Sequence, residues 1–253
     1  MRRALIVIIV LFAFLSFPVA PASPQEGVRH ASDRFGASTN WAGYAVQTNL
    51  ASPSNGVVTD VKGSWVVPAV SCPADGTNKY SAAWVGIDGY SSNSVEQLGT
   101  ESDCLSGGSV PYYAAWWEMY PKPSRRIQHV VQAGDHMTAE VRYSGGNAYT
   151  LTMTDATQGW SFSTTQRAKA ARSSAEWVQE APWSGGVLPL SNFGTVTFTG
   201  ASATIAGHTG TISDAAWQAD RIDMVNGRGA TKAQTSALDG TGIAFDVTWV
   251  SST

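Results

Sequence analysis

Residues 137–154 read MTAEVRYSGGNAYTLTMT, two alternating segments joined by a glycine-containing turn. Ala139 and Val141 alternate with polar neighbours before the turn, and Leu151 and Met153 do so after it. Alternation with a period of two is typical of strands that bury one face. The Ser-Gly-Gly between the segments favours a β-hairpin. This stretch therefore predicts two antiparallel strands.

Similar segments occur along the rest of the chain, separated by glycine-rich turns. Many short strands joined in this way predict an all-β domain, built as an antiparallel sandwich or a barrel. The only helical candidate is the basic segment Thr165–Ser174, which is predicted to form either a loop or one short helix. The further strands are predicted at Val57–Val67, Ala82–Ile87, Tyr112–Tyr120, Ala175–Glu180, Thr195–Thr199 and Phe245–Trp249.

The composition excludes several classes of protein. Of the 253 residues, 43% are apolar, which is enough to fill a core and argues against disorder. Charged residues make up only 14%, well below the roughly 25% of an ordinary soluble domain. The 16 basic residues do not exceed the 19 acidic ones. We therefore expect no nucleic-acid partner, because no basic excess is present to displace counterions.

The N-terminus has the pattern of a secretory signal peptide, placed at residues 1–22. Two arginines precede an apolar run, Ala4–Phe17, and Ala20 and Ala22 have the spacing of a cleavage site. The run is shorter than the roughly 20 residues that span a bilayer. An uncleaved anchor is the alternative. The pattern predicts a secreted protein that has no membrane association after cleavage.

The remaining chain is interpreted as a short flexible leader, residues 23–38, followed by one β-sandwich domain, residues 39–253. Its size is within the range of single all-β domains. The two cysteines, Cys72 and Cys104, form an even pair in an exported protein. Such a pair predicts one disulfide, with two buried free thiols as the alternative.

The usual catalytic devices are not found in the sequence. There is no G-x-S-x-G elbow, and no histidine has metal-ligand spacing, so we predict neither a metal site nor a cofactor. Glu118 and Glu180 lie within apolar strands, where a carboxylate is costly to bury unless it is paired or used. The alternative is a glutamate that faces solvent at a strand edge. Gln97 lies between Gly89 and Gly99, in a predicted loop.

Six short segments, taken in order, resemble the glutamic peptidases, the eqolisin family, from about Asn40 to the C-terminus. Two positions depart from the fungal members: Ala114 replaces an aspartate, and Leu98 replaces a threonine. The segments that carry the resemblance are Asn40-Trp41-Ala42-Gly43, Val66-Val67-Pro68, Trp84-Val85-Gly86-Ile87-Asp88-Gly89, Gln97-Leu98-Gly99, Trp116-Trp117-Glu118-Met119-Tyr120-Pro121 and Ala175-Glu176-Trp177-Val178-Gln179-Glu180.

The resemblance implies a β-sandwich of two bent antiparallel sheets, of the concanavalin-like or jelly-roll type, with a concave substrate groove. It also implies a secreted endopeptidase, expected to be monomeric, that acts on protein or peptide substrates. Gln97 and Glu180 would form the catalytic dyad. The residues that would line the groove and bind substrate are Trp41, Trp84, Asp88, Trp116 and Glu118.

Under this assignment, Glu180 activates a water and Gln97 stabilises the oxyanion, so no acyl-enzyme forms. An unperturbed glutamate, with a pKa of about 4.3, suits acid conditions in which a histidine base is protonated. One rival interpretation is a carbohydrate-active sandwich, in which Glu118 and Glu180 act as acid and nucleophile about 5–5.5 Å apart. Another is a secreted binding module without catalysis.

Overall fold

The computed structural model describes residues 29–30 and 35–253, with side chains from Gly36 onward. The predicted signal peptide, residues 1–22, and most of the predicted leader lie outside the described residues. Within them, no helix is long and apolar enough to cross a membrane. The strands are β1 (Arg29–His30), β2 (Phe35–Ser38), β3 (Trp41–Gln47), β4 (Val58–Val66), β5 (Ala82–Ile87), β6 (Val95–Leu105), β7 (Val110–Tyr120), β8 (Arg125–Ile127), β9 (His136–Gly145), β10 (Ala148–Asp155), β11 (Trp160–Arg167), β12 (Ser174–Glu180), β13 (Thr195–Ile205), β14 (His208–Gly210), β15 (Gln218–Val225), β16 (Thr231–Thr235) and β17 (Phe245–Trp249).

The prediction of an all-β fold is confirmed, with two local corrections. The candidate helix at Thr165–Ser174 is the end of β11, an extended connection and the first residue of β12. Gln97 lies inside β6 rather than in a loop. Every residue of β6 is buried, so polar and apolar side chains do not alternate there and the period-two signal is absent. The end of the predicted leader forms β2, which pairs in parallel with β15.

The strands form two packed layers. The front sheet has the order β8-β7-β6-β5-β12-β3-β15, and the back sheet has the order β17-β13-β4-β9-β10-β11. β16 pairs with both β15 and β17 and so joins the two sheets. These neighbours are antiparallel, in agreement with the predicted sandwich.

The hydrophobic core lies between the two sheets. Two tryptophan side chains donate hydrogen bonds across it from one sheet to the other. Trp177 of β12 donates from Nε1 to the carbonyl of Lys62 at 2.8 Å. Trp65 of β4 donates to the Thr100 hydroxyl at 2.9 Å. Gly63 permits this approach, because a Cβ at that position would lie 2.8 Å from the Trp177 ring. The indoles thereby fix the front sheet against the back sheet.

The front sheet also buries its opposite face, which we call the site face. Trp177 belongs to the core between the sheets, so its neighbours Glu176 and Val178 face away from that core. Glu180 shares their side of β12. A second apolar cluster covers this side, and it contains three of the groove residues that the resemblance implied: Trp41, Trp84 and Trp116.

The predicted disulfide is present between Cys72 and Cys104. It ties the segment after β4 to the end of β6. It closes a loop with a sequence separation of 32 residues, and a cross-link of that length restricts the unfolded chain substantially. The strand that carries Gln97 is therefore covalently anchored at its far end.

Candidate active site

Glu180 ends β12, where the register places it between Trp41 of β3 and Ala82 of β5. Its side chain is fully buried, and each of its two oxygens accepts a hydrogen bond. Asn40 Nδ2 donates to Oε1 at 3.2 Å, and Trp84 Nε1 donates to Oε2 at 2.8 Å. Donors aimed at both oxygens favour the ionised carboxylate.

Asn40 is itself oriented by a short local network. The Ser38 hydroxyl donates to Asn40 Oδ1 at 3.1 Å and accepts the backbone N–H of Trp41 at 3.0 Å. Because the Asn40 oxygen receives this proton, its amide nitrogen points to Glu180. β2 and the start of β3 therefore fix one donor to the carboxylate.

Trp84 is held by its neighbours on the site face. Its ring meets that of Trp41 edge-on, with 5.0 Å between the ring centroids. Its cross-strand partner on β6 is Gly99, where a Cβ would lie 2.5 Å from Trp84 Cβ. The glycine thus leaves room for the indole, which presents its N–H to Glu180.

Gln97 lies on β6, opposite Glu118 of β7. Its Nε2 donates to Glu118 Oε2 at 2.7 Å, which engages one of its two amide hydrogens. Its Oε1 is buried and has no hydrogen-bond partner among the described residues. The carboxylate of Glu118 thereby orients the amide and leaves a second N–H for another acceptor.

Gln97 and Glu180 share the site face but do not face each other directly. Gln97 is in register with Gly86 of β5, which is in register with Glu176 of β12. Glu180 lies four residues beyond Glu176 on the same side of the strand. Gln97 is therefore offset from Glu180 by two strand spacings across the sheet, about 10 Å, and by four residues along the strand direction, about 13 Å. Gly86, which has no side chain, occupies the row between Gln97 and Glu176.

Other buried carboxyl groups near the pair have raised pKa values. Burial raises the pKa of Glu176 well above its usual range. Burial raises the pKa of Glu101 to about 8, and that of Glu96, on the core side of β6, to about 9. These groups are therefore protonated in acid. Among the described residues, no three His, Cys, Asp or Glu side chains are grouped so as to hold a metal ion.

Asp88 has a different environment from the other predicted groove residues. It follows β5 in the left-handed region, at φ 72°. Its carboxylate accepts the backbone N–H groups of Arg172 at 2.6 Å and Ser173 at 2.8 Å. These bonds tie the connection before β12 to the end of β5. By contrast, Trp41, Trp84, Trp116 and Glu118 lie on the site face with Gln97 and Glu180.

Asn40 and Glu176 are residues of the site that the sequence patterns did not indicate. Asn40 precedes a strand and has no pattern of its own that marks it as a donor to a residue 140 positions away. Strand alternation puts Glu176 on the same face as Glu180, but alternation does not indicate that its side chain is completely buried. Burial on both faces of a sheet depends on the layers that cover it.

Comparison with known proteins places the chain among peptidases. The model of the peptidase A4 family matches residues 39–245. Aspergillopepsin-2 from Aspergillus niger is 29% identical over 223 residues, which is 78% of this chain and 76% of that protein.

Solved structures agree in fold. Scytalido-glutamic peptidase, in complex with a peptide-based transition state analog, superposes with a TM-score of 0.67 at 22% identity, over 84% of this chain and 98% of that one. Aspergilloglutamic peptidase from Aspergillus niger gives a TM-score of 0.59 at 29% identity, over 68% of this chain and 99% of that one. The carbohydrate-active alternative is not favoured, and the Glu118 carboxylate that it requires is bonded to Gln97. The family match covers well over half of the chain, and this protein therefore belongs to the peptidase A4 family.

Proposed function

We propose that Gln97 and Glu180 are the residues with which this glutamic peptidase hydrolyses peptide bonds. One observation carries the proposal: a fully buried carboxylate with donors on both oxygens shares a sheet face with an oriented amide. The carboxylate is a base, and the remaining amide N–H is an oxyanion donor. The assignment also matches the positions that the family resemblance implies.

In the proposed reaction, Glu180 takes a proton from a water molecule as the water oxygen attacks the scissile carbonyl carbon. The carbonyl oxygen becomes an oxyanion, to which Gln97 donates its free N–H. One such donor lowers the barrier by about 2.7–4 kcal/mol in comparable sites. Glu180 then returns the proton to the amide nitrogen. The C–N bond breaks, releasing an amine and a carboxylic acid without an acyl-enzyme.

Glu118 acts in this scheme as a positioning residue for Gln97. An amide can rotate so that its oxygen points to the reaction centre, where it would repel an oxyanion. The bond from Gln97 Nε2 to Glu118, at 2.7 Å, opposes that rotation. An amide does not titrate in acid, so the donor persists at the pH at which a glutamate base is effective.

We also propose that the protein acts outside the cell as a monomer on peptides or unfolded proteins. The disulfide between Cys72 and Cys104 supports an oxidising compartment, since such bonds are rare in the cytosol. The apolar run Ala4–Phe17 supports export.

The test is digestion of an unfolded protein near pH 4 by the wild type and by Glu180→Gln and Gln97→Ala. We expect each variant to lose at least about 100-fold in rate, as expected from loss of the base or of an oxyanion donor. Glu140→Gln and Gln132→Ala, on the outer surface, are matched controls and should retain full activity. Thermal unfolding verifies that each variant is folded. Wild-type rates in either site variant would refute the dyad.

A further inference from the structure

Glu101 of β6 lies in the same row of the site face as Glu180, a row being the residues in register on adjacent strands. The register pairs Glu180 of β12 with Ala82 of β5, and Ala82 with Glu101. Ala82 belongs to the apolar cluster on the site face. The preceding residue of β6, Thr100, faces the core instead, where its hydroxyl accepts a bond from Trp65. Strand alternation therefore directs Glu101 to the side that carries Glu180.

Glu101, Gln97 and Glu180 form a right-angled triangle on this face. Glu101 and Gln97 share a strand, at a separation of four residues or about 13 Å. Glu101 and Glu180 share a row, at a separation of two strand spacings or about 10 Å. The midpoint between Gln97 and Glu180 is equidistant from all three corners, about 8 Å from each backbone position. A peptide bond held between Gln97 and Glu180 is therefore as close to Glu101 as to either member of the proposed dyad.

The carboxyl group of Glu101 is buried but retains an unused oxygen at an accessible point of the row. Glu101 is 5% exposed, and its Oε1 has no hydrogen-bond partner among the described residues. Ala82, which separates Glu101 from Glu180, is 4% exposed and presents only a methyl group. Glu180 and Ala114, at the other positions next to this pair, are completely buried. A buried polar atom without a partner costs free energy, which a bound ligand can recover.

Glu101 is a hydrogen-bond donor in acid. Burial raises its pKa to about 8, and the charge of Arg126 on β8 opposes this rise only in part. Asp103, on the same side of β6, has a pKa that burial raises as well, and it is in register with Tyr112 of β7. An ionised Glu180 in the same row further disfavours a second negative charge at Glu101. The protonated carboxyl group has one O–H to donate.

We propose that Glu101 is a substrate-binding residue, whose carboxylic acid O–H donates to a main-chain carbonyl of the substrate next to the scissile bond. This bond would hold the peptide over β5, between Gln97 and Glu180, and would give the carboxyl group of Glu101 a partner. Because every peptide has this acceptor, the bond adds affinity without selecting a side chain. The proposal rests on the peptidase function proposed above and deepens it.

The first experiment measures kcat/KM for one defined peptide at pH 4. Glu101→Met, which keeps the volume but has no donor, should lose about tenfold, the size of one hydrogen bond. Glu101→Gln keeps an N–H donor and should remain within about twofold of the wild type. Glu96→Met is the matched control, because it removes a buried carboxyl group from the core side of β6, and it should preserve kcat/KM. Wild-type activity in Glu101→Met, equal losses in both Glu101 variants, or an equal loss in Glu96→Met would overturn the proposal.

A second series of peptides locates the acceptor in the substrate. An alkene replaces the amide on one side of the scissile bond or on the other, which removes the carbonyl oxygen. With the wild type, one of these peptides should lose about tenfold in kcat/KM, and that peptide should show no further loss in Glu101→Met. Additive losses would show that Glu101 does not bind that carbonyl and would overturn the proposal.

The pH dependence of binding decides the question if Glu101→Met does not fold. Calorimetry on Glu180→Gln measures the affinity for the peptide without turnover, with and without a second substitution, Glu101→Gln. Near pH 8 about half of the Glu101 side chains have lost the donated proton, whereas a glutamine does not titrate. The ratio of Kd with Glu101→Gln to Kd without it should therefore fall about twofold from pH 5 to pH 8. The same ratio for Glu96→Gln should stay constant.

The two proposals fail in different ways. A constant Kd ratio for Glu101→Gln would overturn the substrate-binding role of Glu101 alone. Full hydrolysis of the peptide by Glu180→Gln would overturn the proposed dyad.

Discussion

At the scale of single residues, the structure distinguishes Glu180 from the other buried acids. Burial raises the pKa of Glu96, whose carboxyl oxygens meet no donor among the described residues. Burial also raises the pKa of Glu176, where hydrogen bonds from Ser174 and from the backbone of Tyr90 only partly offset it. Glu180 instead accepts an amide and an indole N–H. In a buried site such donors stabilise the charged form strongly, because water does not compete for them. The environment of each residue, rather than its type, decides which carboxylate serves as a base.

Trp84→Phe is expected to shift the pH dependence of hydrolysis. The variant keeps the ring but removes the N–H that donates to Glu180 at 2.8 Å. A hydrogen bond to a charged group is worth about 1.5–3 kcal/mol, so the acid limb of kcat/KM should move up by about one pH unit or more. Trp249→Phe is the control, since its N–H has no partner among the described residues. Equal profiles for wild type and Trp84→Phe would show that the indole N–H does not tune the base.

At the scale of elements, β6 combines three roles in eleven residues. Its site face presents Gln97, its core face presents Leu98, and its far end is tied by Cys104. Complete burial on both faces makes this strand sensitive to added volume. Gly99 shows this directly, because it packs against the backbone and Cβ of Trp84.

Gly99→Ala should therefore impair both stability and catalysis. The added methyl would overlap Trp84 Cβ, at 2.5 Å, and the Ala83 carbonyl. Overpacking of this kind costs about 1–3 kcal/mol, and displacement of Trp84 would weaken its bond to Glu180. Urea unfolding and kcat/KM at pH 4 measure the two effects. Gly240→Ala, where a Cβ meets no atom within 4 Å, should change neither. A Gly99→Ala protein of wild-type stability and activity would contradict this account.

At the scale of the whole molecule, the buried carboxyl groups favour the folded state in acid. The folded-state pKa is about 9 for Glu96 and about 8 for Glu101, and burial also raises the pKa of Asp103 and Glu176. Unfolding returns each group to an ordinary pKa of about 4. The folded state thus holds more protons between these values, so stability is full below about pH 4 and falls as pH rises.

The free energy of unfolding is therefore expected to decrease from pH 4 to pH 8. Each such group contributes a slope of about 1.4 kcal/mol per pH unit in that window. Glu96→Gln, which is neutral throughout, should reduce the slope by about that amount. Asp246→Asn, outside the core on β17, is the control and should leave the slope unchanged. Urea unfolding at several pH values measures this slope. A free energy of unfolding that rises toward pH 8 would exclude this explanation.

The sequence determined the composition of the strands and the order of the motifs. Period-two alternation predicted β9 and β10, and the β-rich composition of Ala82–Ile87 predicted β5 with the bounds that the structure gives. Alternation is local, since it needs only one buried face and one exposed face. The family resemblance likewise depended on short contiguous segments, and the family match confirms it.

The tertiary structure alone decided which polar residues meet. Gln97 was misplaced in a loop because β6 is covered on both faces, which no local pattern reports. Asn40 reaches Glu180 across 140 positions, and Lys232 reaches the carbonyl of Thr39 across 193. An all-β peptidase with one disulfide was thus predictable from the sequence alone. Burial and the placement of hydrogen-bond donors depend on long-range packing, because each is a property of the layers that enclose a side chain rather than of its neighbours in the chain.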